Sequence, residues 1–178
     1  MKFGFGCQSG VGKDEACEYL KKNYGGMILH FSDPIYEIMN FAQNTCKFER
    51  KKDRQFLQYI GTDWARSINP EVWINSLMDK ILEMKSDPLA LKKDISNIYV
   101  GDVRFKNEAS ALKNKGFICV LIINPNRQLL NKKENTHISE NDAFTYFWDD
   151  VIVNDGTLEE FHKKLELLVK KYTWTHFN

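Results

Sequence analysis

Lys2-Phe3-Gly4-Phe5-Gly6-Cys7-Gln8-Ser9-Gly10-Val11-Gly12-Lys13-Asp14 runs from apolar residues through glycines to a lysine. Lys2 to Cys7 predicts a buried strand, Gln8 to Lys13 a glycine-rich turn, and Asp14 to Asn23 a helix closed by Gly25-Gly26. Glycines let backbone N–H groups turn inward around a phosphate, the helix N-terminus adds partial positive charge, and Lys13 can reach the outer phosphates of a bound triphosphate. Gly10, Val11, Gly12, Lys13 and Asp14 are the expected phosphate contacts.

The run departs twice from G-x-x-x-x-G-K-[ST]. Cys7 holds the first glycine position, with Gly6 one residue early, and Asp14 replaces the hydroxyl residue that normally meets magnesium. A carboxylate beside a polyphosphate is repelled unless a cation lies between them. Asp14 therefore approaches Mg²⁺, directly or through water, or it caps the helix facing away.

Beyond this unit, short apolar runs alternate with helical periodicity, which predicts an α/β fold: a mostly parallel sheet flanked by helices. Strands are expected at Met27 to Phe31, Asn97 to Val103, Phe117 to Ile123 and Val151 to Asn154. Helices are expected from Pro34 to about Ala42, Arg54 to Ser67, Pro70 to Lys85 and Glu108 to Lys115. The last begins at Thr157, which forms a capping box with Glu160 and carries Leu158, Phe161, Leu165, Leu168 and Tyr172 on one core-facing stripe. Residues 1–178 read as a single domain with a helical insert over about 33–90 and a lid over about 125–141, where the chain is polar, basic and short of apolar anchors.

A formal net charge of +1 argues against nucleic-acid or membrane partners. The four cysteines, scattered without metal-ligand spacing, read as small buried hydrophobes in a cytoplasmic, reducing compartment.

The strand at Asn97 to Val103 delivers Asp102 and then Arg104 to the carboxyl edge of the sheet, where open α/β folds bind ligands. A parallel neighbour would place Asp102 near Lys13. There it can hold Mg²⁺ through water or accept a proton from an attacking oxygen, while Arg104 neutralises a phosphoryl oxygen. Lys13, Asp102 and Arg104 are the expected catalytic set, and Asp14 with Asp102 the expected metal set. In the middle helices Arg66 offers a fork for a second phosphate, and Gln58 and Trp73 offer polar and flat surfaces for a base. Arg127, Lys132 and His137 are the cations that a closing lid would deliver to the transferring group.

Five segments, in order, resemble the deoxynucleoside monophosphate kinases of bacteriophages and large DNA viruses. They are Gly12-Lys13-Asp14, Gly61-Thr62-Asp63-Trp64-Ala65-Arg66, Asp102-Val103-Arg104-Phe105-Lys106-Asn107-Glu108, His137-Ile138-Ser139-Glu140 and Asn154-Asp155-Gly156-Thr157-Leu158. The resemblance spans nearly the whole chain. It implies a three-layer P-loop kinase fold, ATP with Mg²⁺, a deoxynucleoside monophosphate acceptor, and Arg66 and Arg104 facing the acceptor phosphate. In that family Asp is also usual at the position of Asp14, whereas Glu15 stands where a threonine is expected and Tyr36 where a lysine is expected.

ATP and a nucleoside monophosphate are thus the expected partners, a homodimer an allowed assembly, and the cytoplasm, the host's if viral, the expected location. Phosphomevalonate or dephospho-coenzyme A kinases, and an inactive nucleotide-binding relative, are the alternatives. A guanine-nucleotide switch is rejected, because no D-x-x-G motif lies between the phosphate loop and Asn131-Lys132-Lys133-Glu134.

Overall fold

The computed structural model describes residues 1–6, 9–86, 96–125, 146 and 148–174. Five strands form one parallel sheet: β1 (Lys2–Gly6), β2 (Met27–Leu29), β3 (Ile98–Val103), β4 (Ile118–Ile123) and β5 (Asp150–Val153), in the order β2-β3-β1-β4-β5. The near-continuous apolar character of β3 and β4 fits their burial on both faces, which parallel sheets require.

Helices cover each face. On one side α1 (Lys13–Tyr24) and the closing helix, α7 (Leu158–Trp174), enclose a core of Phe3, Phe5, Leu20, Tyr99, Phe161 and Leu165. The other face packs the helices that follow β2 and β3: α2 (Asp33–Thr45), α3 (Arg54–Gln58), α4 (Ala65–Ile68), α5 (Val72–Ser86) and α6 (Lys106–Asn114). This is the expected three-layer α/β arrangement. No helix among the described residues is long and apolar enough to cross a membrane.

Register brings the ends of the central strands together. In the β1–β3 pairing Gly6 stands opposite Val103, and in the β1–β4 pairing it stands opposite Leu121. The turn after β1, Asp102 and the start of α1 therefore share the carboxyl edge of the sheet.

The structure changes several expectations. The helix expected over Arg54 to Ser67 is interrupted by a π-turn (Tyr59–Trp64) between α3 and α4. Leu158 is 56% exposed, because it opens α7 before the helix reaches the sheet, whereas Phe161, Leu165 and Leu168 are buried. The Thr157–Glu160 capping box is present, with Thr157 N–H to Glu160 Oε2 at 2.7 Å and Glu160 N–H to Thr157 Oγ1 at 3.2 Å. Cys17 and Cys119 are buried, but Cys46 is exposed at the end of α2. Cys7 lies outside the described residues.

Candidate active site

The phosphate loop enters α1 through Gly12, whose φ of 109° is in the left-handed region. A Cβ there would come within 2.7 Å of Asn154 Nδ2. Gly10 also has positive φ, 75°. Lys13 is the first residue of α1 and is 7% exposed, while Asp14, in the same first turn, is exposed. The loop is tied down from the far side of the sheet: Asn154, just after β5, donates its side-chain amide to the Val11 carbonyl at 2.9 Å.

Gly6, one residue early in the motif, makes room for an aromatic side chain. A Cβ on it would run into the indole of Trp148, which lies against the end of β1. Tyr146 meets that indole edge-on, with 5.6 Å between ring centroids.

Asp102, the penultimate residue of β3, is only 8% exposed. Its carboxylate accepts the N–H groups of Phe31 at 2.9 Å and Ser32 at 3.0 Å. It thus fastens the chain leaving β2, and it also lines a cleft beside Ser9 of the phosphate loop. Burial pushes the Cys17 thiol well above its usual range, and the Asp14 and Asp102 charges raise it further.

The cleft has about 320 Å³ of open space, in the range of small-molecule sites. Ser9 and Asp102 stand at its phosphate-loop end, Arg66 and Arg104 in its wall, and Tyr36, Leu57 and Gln58 on the side of α2 and α3. Of the expected site residues, Asp102, Arg104, Arg66 and Gln58 line this cleft. Arg104 is exposed, so its guanidinium can be reached from solvent.

Arg66 is held on several sides. Its Nε donates to Gly61 O at 3.2 Å, Nη1 to Pro70 O at 3.3 Å and Nη2 to Glu108 Oε1, and its guanidinium lies 4.1 Å from the Phe105 ring centroid. Glu108 is buried, and its other oxygen accepts the N–H groups of Arg104 at 2.7 Å and Phe105 at 3.0 Å. As the third residue of α6, it satisfies backbone donors that the first helical turn would otherwise leave open. Burial pushes its carboxyl up to about 7, against the downward pull of the Arg66 charge and those two N–H groups.

Trp73 departs from its expected role as an acceptor contact. It is 4% exposed, packs in the core beneath the helices and donates its indole N–H to Gly61 O at 2.8 Å. A π-turn leaves backbone groups outside the usual helical ladder. Here Gly61 O serves both Trp73 and Arg66, so Trp73 is coupled to the site through that shared carbonyl. The expected lid residues Arg127, Lys132 and His137 lie outside the described residues.

Sequence reasoning assigned no role to Lys52, Arg54, Glu108 or Asn154. Lys52 and Arg54 line the cleft because Asp53 caps α3, accepting Phe56 N–H at 3.0 Å, and so sets both cations at the helix start; Lys52 Nζ lies 5.6 Å from the Tyr36 ring centroid. The Asp53 cap and the acidic third position of α6 were available signals. Glu15, at the expected threonine position, pairs with His162 of α7 at 2.7 Å, which binds α1 to α7.

Residues 52–165 match the family model for deoxynucleotide monophosphate kinase. The chain is 31% identical over 162 residues to "Uncharacterized protein ORF77" of Ictalurid herpesvirus 1 (strain Auburn), covering 90% of this chain and 67% of that protein. It is 28% identical over 177 residues to "Putative deoxynucleotide monophosphate kinase" of Acanthamoeba polyphaga mimivirus, covering 88% of this chain and 89% of that protein. A dephospho-CoA kinase from Campylobacter jejuni aligns with a TM-score of 0.53 at 15% identity, covering 99% of this chain and 100% of that one. Shikimate kinase from Aquifex aeolicus aligns with a TM-score of 0.57 at 10% identity, covering 98% and 99%. These two structures share the P-loop kinase fold with this chain.

Proposed function

The chain belongs to the deoxynucleotide monophosphate kinase family, and from that premise we propose that it transfers the γ-phosphoryl group of ATP to the 5′-phosphate of a deoxynucleoside monophosphate. The observation that carries this reading is the cleft itself. It begins at the phosphate loop and Asp102, sets Arg66 and Arg104 in its wall, and ends among Tyr36, Leu57 and Gln58, surfaces suited to a flat base. The family's description and that of the mimivirus relative support the choice of a deoxynucleotide acceptor.

An acceptor monophosphate lies with its oxyanion between Arg66 and Arg104, pointed at the donor phosphates above Lys13. In-line attack forms a bond from that oxygen to the γ-phosphorus and breaks the bond to the bridging oxygen, which leaves with ADP. Catalysis is positioning and charge stabilisation. Lys13 and the loop N–H groups hold the donor, and Arg104 meets charge spreading over the transferred group.

Mg²⁺ is bound through few protein carboxylates together with substrate phosphates and water. Asp14, exposed in the first turn of α1, and Asp102, at the end of the cleft that Ser9 lines, are the carboxylates that would fit that donor set. When bound, the ion neutralises phosphate charge. The solvent-exposed Asp14 is the residue to hold it, while Asp102 is already shared with the N–H groups of Phe31 and Ser32.

The test is an ADP-release assay with ATP–Mg²⁺ and each of the four deoxynucleoside monophosphates, run beside an acceptor-free blank and Lys13→Ala. We expect acceptor-dependent turnover that the variant reduces by about 10²–10³-fold, the cost of losing one preorganised charge-stabilising group. Turnover no greater than the blank with all four acceptors would refute the acceptor assignment.

A further inference from the structure

We infer that Glu108 is a positioning residue of the acceptor site, its two carboxylate oxygens holding the Arg66 side chain and the backbone that carries Arg104. This rests on the proposed acceptor site. One oxygen receives Arg66 Nη2; the other receives Arg104 N–H at 2.7 Å and Phe105 N–H at 3.0 Å. Phe105 in turn supplies the ring beneath the Arg66 guanidinium, 4.1 Å away. One buried carboxylate therefore aligns a guanidinium, the ring that supports it and the strand exit leading to the second arginine.

The donor count makes the carboxylate hard to replace. An arginine has five N–H donors, and the Arg66 bonds to Gly61, Pro70 and Glu108 engage three of them, which leaves two to meet a phosphate. A guanidinium held in this way has little rotamer freedom to lose when the acceptor binds. Every group facing Glu108 through these bonds is an N–H donor. Glutamine has one oxygen and one amide NH₂, so in either orientation it turns a donor toward Arg66 or toward the Arg104–Phe105 turn. Isosteric replacement thus removes the alignment while keeping the volume.

The test measures two things on the intact chain, wild type and Glu108→Gln: steady-state constants for both substrates, and the ¹⁵Nε–¹H signal of Arg66 with and without inorganic phosphate, assigned by its loss in Arg66→Lys. We expect the acceptor KM to rise about 10- to 100-fold, in keeping with loss of a charge-assisted hydrogen bond, while the ATP KM changes less than about threefold. The Arg66 signal broadens or shifts, and its response to phosphate weakens. Glu108→Asp, which keeps two acceptor oxygens, recovers part of the acceptor KM. An Arg66 signal identical in wild type and Glu108→Gln, with equal response to phosphate, would overturn the inference even if the protein melts at a lower temperature. If wild type turns over no monophosphate, the proposed reaction fails, and the phosphate-titrated Arg66 signal still decides what Glu108 does.

Discussion

Asn154 donates to the Val11 carbonyl at 2.9 Å, joining the residue after β5 to the phosphate loop across 143 positions of sequence. The Asn154 backbone N–H is itself fixed to Ile123 O at 2.7 Å, so the side chain reaches the loop from a rigid base on β4. Val11 is 1% exposed, and its carbonyl faces away from water. The bond fixes the direction of the Val11 peptide and so holds the shape of the loop from β5.

Replacing Asn154 should therefore damage donor binding more than acceptor binding. Asn154→Ala leaves a buried carbonyl without its partner and is expected to lower stability by about 1–3 kcal/mol. The ATP KM should rise several-fold while the acceptor KM holds. Asn154→Asp should be worse for both stability and ATP, since it sets a carboxylate against a carbonyl beside bound phosphates. Chemical denaturation and substrate-resolved kinetics check both; equal changes in the two KM values would count against a donor-side role.

The parts of this site that were legible in the sequence are those whose chemistry is local. Gly10, Gly12 and Lys13 declare a phosphate loop because the left-handed turn, the lysine and the helix start are adjacent in the chain. Asp102 could be placed at a strand end for the same reason. The π-turn was not legible: whether Arg54 to Ser67 runs as one helix depends on an indole from α5 binding Gly61 O, a contact that helical periodicity does not encode. Trp73 looked like a base platform because an aromatic near an arginine reads the same whether it faces ligand or core. Glu108 was visible as part of a motif, but its use of both oxygens emerges only when α4 is packed against α6.

Trp73→Phe tests the indirect role of the indole. Phenylalanine keeps most of the buried ring and removes the N–H bond to Gly61 O, with an expected stability loss of about 1 kcal/mol. The Gly61 carbonyl then loses the indole bond that fixes its direction, and the anchor it offers Arg66 loosens. The acceptor KM should rise by a few-fold, alike for all four bases. A base-dependent change would instead show that the ring contacts the base directly.

Gly6→Ala tests the contact between β1 and Trp148. The added methyl has no room beneath the indole, so either the strand end or the ring must move. Overpacking of this kind costs about 1–3 kcal/mol. Because Gly6 immediately precedes the loop, Gly6→Ala should also raise the ATP KM. Gly6→Ala combined with Trp148→Phe should recover part of the stability, since the smaller ring returns space to the methyl. The melting temperatures of the two single variants and the double variant measure this directly, and strict additivity would rule out the contact as the cause.

The pH dependence of stability carries the signature of Glu108. Its carboxyl is pushed up to about 7 chiefly by burial, with Arg66 opposing the shift. Between the ordinary carboxylate value of 4.5 and about 7 the folded protein keeps a proton that the unfolded chain has released. That O–H, like the glutamine NH₂, turns a donor toward one of its N–H partners, so the two-oxygen alignment of Arg66 is complete only above about 7. Where the folded state binds more protons, stability falls as pH rises. The contribution of Glu108 is thus largest at the acid end of that window, declines through it and is flat above about 7. Denaturant titrations of wild type and Glu108→Gln from about pH 5 to about pH 8 isolate the effect, because glutamine does not titrate. The stability of wild type relative to Glu108→Gln should decrease as pH increases. A difference that stays constant across the range would mean that Glu108 keeps its charge throughout, with Arg66 and the two N–H groups outweighing burial.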